Sequence, residues 1–600
     1  MKEKIRNHKQ EIFSVTGVLL AALAWQAYLF ITGVSILDGD ECYMALRGLY
    51  ILDGHLPVFY YGQDYMGCIE SYVFAFFRIF GGSSTPLLVK IQGAFQMLIF
   101  LASSYFLIRK MLGKRIALYA LIFLAVPPNM AGTWYAKIRG YTPVLILGNF
   151  IILSLVSLRE HVEDQRAFTL EIILAGFFMG LSWWANPISI FYCLFAVIII
   201  LGTPAIRKTF FSKIRRSPSS IYVNITAVLI FVILISRSIT APRRWIVLRL
   251  LFEHRTILFM VLGLIALSAI ITGIVRRKKI NVKPALICSG FLAGNLPMLI
   301  YYWSHESLNL KQGLGELYQL WANIKLSPMF VFPVIAGLTN IRENLNPAIF
   351  GLFPVLYVIM IYAGLLWCGV RILKKKGWPA AWFMLLGGII MISFWAQNSS
   401  AWIQTRYLLA LYLPLSVFTA LFFSELDKQL KGLGAALFAV LLMIHIFGTI
   451  RLPGKEIVLP SGRYPGEKKI VNFCNERNYE NVFIDESDTK AQRLSLFSEE
   501  EVIFLYPRGY FNRITRYEKL FLEKGEGALL VPEEKAEGFV SKLSSSNKIA
   551  GFYVYENVSN RKIFELYKTY FLKKPEYSDI KEEWNRNRIL KPFPVEVLDQ

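Results

Sequence analysis

Residues 38–41 read Asp38-Gly39-Asp40-Glu41, just beyond a long apolar run from Phe13 to Val34. Carboxylates where a helix leaves a bilayer are costly unless they are solvated or at work. The work that suits them is general-base chemistry, in which a carboxylate takes the proton of an attacking hydroxyl. The local alternative is a helix cap. Asp38 or Asp40 would cap a helix starting near Cys42, with Glu41 favouring its dipole. The two readings are compatible, because capping fixes a carboxylate in place. Asp53, Asp64 and Glu70 add further acids to the same stretch.

A second set of residues is cationic. Trp134-Tyr135-Ala136-Lys137-Ile138-Arg139-Gly140-Tyr141 places Lys137 and Arg139 among aromatics, and Arg406 stands at the start of another apolar run. A guanidinium can bind a pair of phosphate oxygens, as recognition of a lipid phosphate requires. The alternative is a belt of aromatics and snorkelling cations at a membrane surface. The six cysteines show no CxxC spacing, so no metal site is expected. Cys42 and Cys68 share one loop and are either a disulfide or two independent core thiols. No Gly-rich loop for a nucleotide is present.

These residues need a membrane scaffold to position them. The chain has 600 residues, 55% of them hydrophobic. Its net charge of +23 invites a nucleic-acid reading, but residues 451–600 carry only about +1 by direct count. The excess lies in the apolar part, as the positive-inside rule requires, and no nucleic-acid partner is expected. About thirteen spans are expected. They lie near 13–34, 86–108, 115–129, 142–158, 169–185, 187–203, 221–237, 256–275, 284–303, 348–372, 379–397, 404–423 and 433–450. Basic clusters at 109–115, 207–216, 276–279 and 374–376 mark the inner ends. They agree with a cytoplasmic N-terminus and an outer C-terminus. The arginine-rich stretch 237–255 does not fit and is read as an interfacial helix or a misplaced span.

The first outer loop, 35–85, is expected to hold two interfacial helices, Cys42–Leu52 and Ile69–Phe80. A loop at 304–347 is placed to cover a lateral opening. Residues 1–450 thus form an all-α polytopic membrane domain. Residues 451–600 are expected to form a small extracytoplasmic α/β domain, with strands at Val482–Ile484, Glu501–Leu505, Ala528–Val531 and Ala550–Tyr555.

Several segments together resemble a known family. They are Gly39 to Arg47, Gly54-His55-Leu56-Pro57, Tyr60 to Glu70, Phe80-Gly81, Gly290 to Tyr302, and Arg406 to Pro414. They are similar to GT-C glycosyltransferases of the protein O-mannosyltransferase and lipid A aminoarabinose transferase type. The resemblance covers about residues 15–160 most strongly and is only architectural over 451–600. It implies that Asp40 is the catalytic base or acceptor-positioning group, with Glu41 supporting it or binding the sugar. Gln63, Asp64, Tyr65, Glu70, Lys137, Arg139, Tyr141 and Arg406 would line the substrate site.

The implied partners are a polyprenyl-phosphate-sugar donor, an extracytoplasmic acceptor and the lipid bilayer. No cofactor is implied, and the reaction would be a single inverting displacement. The chain departs from the family pattern in two places. Gln63-Asp64-Tyr65 stands where many members carry Lys-Pro-Pro or His-Pro-Pro, and the loop from Asn129 to Tyr141 has no acid. Two rival readings are a flippase of lipid-linked sugars, which predicts internal repeats and charges in mid-span, and a non-catalytic envelope assembly protein.

Overall fold

A computed structural model describes residues 2–32, 35, 37–61, 63–82, 86–210, 283–304, 317–327, 335, 363–364, 366–367, 369–371, 374, 377–395, 405–450, 464–506, 517, 526–535 and 547–559. The expected spans at 221–237 and 256–275 and the stretch 237–255 lie outside the described residues. So do most of the expected span 348–372 and most of the loop 304–347.

The helices in chain order are α1 (Lys2–Ile31), α2 (Gly39–Leu52), α3 (Ile69–Gly81), α4 (Pro86–Leu112), α5 (Lys114–Ala125) and α6 (Asn129–Tyr135). Then come α7 (Thr142–Glu160), α8 (Gln165–Ala185), α9 (Ile190–Gly202), α10 (Pro204–Phe210), α11 (Lys283–Gly294) and α12 (Leu296–Ser304). The last are α13 (Leu317–Leu326), α14 (Trp378–Trp395), α15 (Tyr412–Gln429), α16 (Leu433–Ile450), α17 (Pro465–Glu476) and α18 (Asp488–Phe497). The strands are β1 (Phe59–Tyr60), β2 (Gln63–Gly67), β3 (Asn481–Ile484), β4 (Ile503–Leu505), β5 (Glu526–Pro532), β6 (Asn547–Ile549) and β7 (Phe552–Ser559).

Among the described residues, 6 helices are long and apolar enough to cross a membrane: Lys9–Ile31, α4, α7, α8, α14 and Arg406–Gln429. A seventh arises if the bent pair Pro187–Gly202 and Pro204–Phe210, at 87°, counts as one span. Four expected spans appear as shorter or broken helices. The 12 residues of α5 reach only about 18 Å. The run expected at 115–129 stops early because Pro127 and Pro128 lack amide donors and disfavour helix at the residue before each. The chain breaks at Asn186-Pro187, between the expected spans 169–185 and 187–203: the Asn186 side chain accepts from the Ile188 N–H at 3.1 Å and turns the chain into a short 3-10 segment.

The chain forms two compact units. One contains Met1–Leu29, Tyr65–Ile69 and Gly93–Glu456. Its helices pack through small residues. Gly176 and Gly180 on α8 meet the carbonyls of Ile287 and Phe291, while Gly290 and Gly294 on α11 meet those of Ile173 and Phe177. These are two facing GxxxG motifs, a means of bringing helix backbones together where lipid supplies no hydrophobic drive. A Cβ at any of the four would overlap a backbone carbonyl. In the same unit, Gly93 on α4 lies against the Ala136 carbonyl. Gly140, at φ +78, makes the left-handed turn after Arg139 that few other residues tolerate.

The other unit contains Phe30–Asp64, Glu70–Gln92 and Ile457–Gln600. It holds a five-stranded sheet of order β4-β3-β5-β7-β6. β3 runs parallel to both β4 and β5, while β5–β7 and β6–β7 are antiparallel. The parallel β3–β4 pair requires a crossover, which α18 supplies. Val482, Ile484, Leu494, Phe504, Leu530 and Val554 form the core under the sheet. All four expected strands are present.

The two expected loop helices are α2 and α3, and they differ from each other. α3 leaves Phe76, Ile79 and Phe80 exposed, as an interfacial helix does. α2 does not behave as an interfacial helix. It is buried by protein from Glu41 to Leu46, and Gly48 lets it close on Phe74 and the Ser71 carbonyl of α3.

Candidate active site

The three acids of 38–41 have three separate roles. Asp38 caps α2. Its Oδ1 accepts the Glu41 N–H at 3.1 Å, and the Asp38 N–H donates to Glu41 Oε2 at 3.2 Å. This reciprocal capping box satisfies donors that a helix start leaves unpaired. Glu41 is fully buried and forms an ion pair with Lys90 Nζ on α4, at 2.7 and 2.8 Å from its two oxygens. Asp40 takes no part in the capping box. It is half-buried, with its Oδ1 3.0 Å from the Tyr60 hydroxyl, which also lies 3.1 Å from the Asp40 carbonyl.

Sequence reasoning missed Lys90 and Tyr60. Lys90 had a readable signal, as the single charge in the apolar run Pro86–Ile108. Tyr60 carries no signal of its own beyond its place in the Tyr60 to Glu70 motif.

The cationic residues come together around one indole. Arg139 lies 4.6 Å, Lys137 5.4 Å and Arg406 5.6 Å from the Trp134 ring centroid. Tyr141 packs edge-on against the same ring at 5.5 Å and lies 6.3 Å from Tyr407. Burial pushes the Tyr141 hydroxyl up, so it is a neutral donor. Tyr65, half-buried in β2, is within electrostatic reach of Tyr141. Arg406 Nε is buried and has no hydrogen-bond partner among the described residues. Leaving such a donor unpaired is costly, and an acceptor oxygen would relieve it. A narrow apolar recess runs beside Arg406, walled by Tyr141, Val144, Leu145, Ile188, Phe191 and Leu409.

The remaining expected residues belong to the other compact unit. Gln63 is half-buried at the start of β2, and the side chain of Asp64 lies outside the described residues. Glu70 is 1% exposed in the first turn of α3, where its carbonyl accepts from Gln92 Nε2 at 2.7 Å. Cys42 and Cys68 are both buried and not joined to each other, so the disulfide alternative falls. Burial raises the Cys42 thiol well above its ordinary range, which makes it an inert core residue. Among the described residues, no three His, Cys, Asp or Glu side chains gather in a way that could hold a metal ion.

The fold is that of the GT-C glycosyltransferases, and the chain is a membrane protein. The likeness that carries the fold is to ArnT from Cupriavidus metallidurans bound to undecaprenyl phosphate. It has a TM-score of 0.50 and 12% identity, covering 92% of this chain and 98% of that one. The same ArnT in the apo state gives 0.48 at 12% identity, over 90% and 98%. The archaeal oligosaccharyltransferase AglB from Archaeoglobus fulgidus, in complex with an inhibitory peptide and a dolichol-phosphate, gives 0.46 at 13%, over 88% and 70%. No protein-family model matches the chain, and no curated protein matches it either.

Proposed function

We propose that this chain is a membrane glycosyltransferase that moves one sugar from a polyprenyl-phosphate donor to an acceptor at the extracytoplasmic face. The observation that carries the reading is the gathering of Arg139, Arg406 and Tyr141 around Trp134, with an Arg406 Nε–H that is buried and unpaired among the described residues and apolar side chains beside it. A phosphate ester on an isoprenoid chain has both matching parts: anionic oxygens for the arginines and hydrocarbon to lie against the apolar side chains beside Arg406. The undecaprenyl phosphate held by the GT-C-fold ArnT is of that class.

In the reaction, an acceptor hydroxyl oxygen attacks the anomeric carbon, and the bond from that carbon to the phosphate oxygen breaks with inversion. Asp40 takes the hydroxyl proton. The polyprenyl phosphate leaves with its negative charge neutralised by Arg406 and Arg139. Glu41 acts as a support for Asp40, since both of its oxygens are held by Lys90. The N-terminus is cytoplasmic, and residues 451–600 form an extracytoplasmic domain.

Mass analysis of glycans and membrane lipids, with and without the gene, tests the reading. A sugar-sized mass lost from an envelope component on deletion is expected. Unchanged glycans and lipids, with the protein expressed in the control, would sink it.

A further inference from the structure

The residues that close on the acidic turn come from near the other end of the chain. The Leu37 N–H donates to the Tyr464 hydroxyl at 3.1 Å, and Arg493 Nη1 donates to the Leu37 carbonyl at 3.4 Å. The Leu37 peptide is therefore held on both its polar sides one residue before the capping aspartate. The two clamping side chains brace each other. Arg493 lies over the Tyr464 ring at 5.3 Å, and its Nη2 pairs with Glu467 at 3.2 Å. Tyr464 also packs edge-on against Phe497 of α18, at 5.4 Å.

One residue beyond Asp38 the fit is equally close. A Cβ on Gly39 would stand 2.9 Å from Thr489 Oγ1, so α18 touches the first residue of α2. Tyr464 and Leu37 are 6% and 0% exposed, which keeps water from competing for these bonds. Burial lifts the Tyr464 hydroxyl to about 12, and it remains a neutral partner at any physiological pH.

We propose that Tyr464 and Arg493 are positioning residues. They fix the backbone entering α2 and thereby set the place of Asp40, so the C-terminal segment is part of the active-site frame rather than only a partner-binding module. The proposal rests on the role given to Asp40 above. It does not require either side chain to touch substrate.

Local amide exchange is the direct test, run on the full-length protein in detergent. Tyr464→Phe and Arg493→Gln are expected to speed exchange over residues 37–44 by about two- to tenfold, the worth of one hydrogen bond. Exchange in strand residues 481–484 should not change. In cells, the product mass that vanishes on gene deletion should fall at least about tenfold for Arg493→Gln and recover in part for Arg493→Lys, which keeps the charge but not the fork.

Unchanged exchange over 37–44 overturns the clamp. So does full product from Arg493→Gln when Asp40→Asn makes none. If Asp40→Asn also keeps its product, the functional reading fails, and the clamp stands or falls on exchange alone. If Arg493→Gln speeds exchange throughout the sheet, a steric pair carries the test. Gly39→Ala should lower product, and Gly39→Ala with Thr489→Ala should restore it, because the second change removes the Oγ1 that the new methyl meets. Failure of that rescue, with normal local exchange, overturns the proposal.

Discussion

Glu41 and Lys90 form an ion pair with almost no solvent access, their side chains 0% and 8% exposed. Glu41 also closes the capping box with Asp38. One carboxylate thus ties the first turn of α2 both to its own cap and to α4. Removing one partner of a buried pair leaves an uncompensated charge and costs about 3–5 kcal/mol, whereas removing both costs far less. Glu41→Gln and Lys90→Met should each lower the unfolding temperature sharply. The double variant should lie well above the sum of the two losses. Additive losses would mean that the pair contributes nothing as a pair.

Asp40→Asn keeps volume but removes basicity. Transfer should fall by about 10²–10⁴-fold, with membrane abundance and thermal stability unchanged, since Asp38 rather than Asp40 caps the helix. The readout is the product mass in cells complemented with the variant. Near-normal product sinks the mechanism. A dead but stable Glu41→Gln beside an active Asp40→Asn would move the base by one residue.

The donor site is tested by Arg139→Ala and Arg406→Ala. Each removes a charge-assisted contact of about 1.5–3 kcal/mol. Titration of the purified protein with undecaprenyl phosphate should show affinity weakened by about ten- to a hundredfold in each case. Arg139→Lys should restore only part, because a point charge lacks the fork. Equal affinity in wild type and both alanine variants would make these arginines belt residues.

The α8–α11 contact gives a prediction about folding. Gly180→Leu would force the helices apart at the Phe291 carbonyl. Folded yield in detergent should collapse, and Gly202→Leu, where a Cβ meets nothing within 4 Å, should fold normally. Comparable yields from the two would show that the close approach is dispensable.

Topology is read with single cysteines in a background lacking the native thiols. Exposed positions Leu56 and Lys548 should react with an impermeant reagent in intact cells, and Lys208 only after lysis. The reverse pattern inverts the chain and removes the outer-face reading.

Local features were legible where one element sets the pattern. Apolar spacing marked α2 and α3, and short β-rich runs marked β3, β4, β5 and β7. The parallel pairing of β3 with β5 was not legible, because register and strand order arise from long-range packing. Composition does not fix where a helix ends, because an apolar run such as 115–129 reads as a full crossing until its prolines are weighed. Between Asp38 and Asp40, local sequence allowed either as the cap, and only the backbone geometry at Asp38 decides. Arg139 sat visibly among aromatics. That Arg406, far along the chain, shares the same indole was beyond any local signal.

The bond from Leu37 to Tyr464 joins residues 427 positions apart. During synthesis the acidic turn leaves the ribosome early, whereas Tyr464 and Arg493 follow only after the apolar helices between them. If Asp40 needs that bond to take its place, the nascent chain carries an unfinished turn through most of its own insertion. A product cut short between Arg406 and Tyr464 would still hold every acid and arginine of the proposed chemistry, yet stay silent. The membrane is then exposed to sugar-transfer activity only from chains translated at least as far as Arg493.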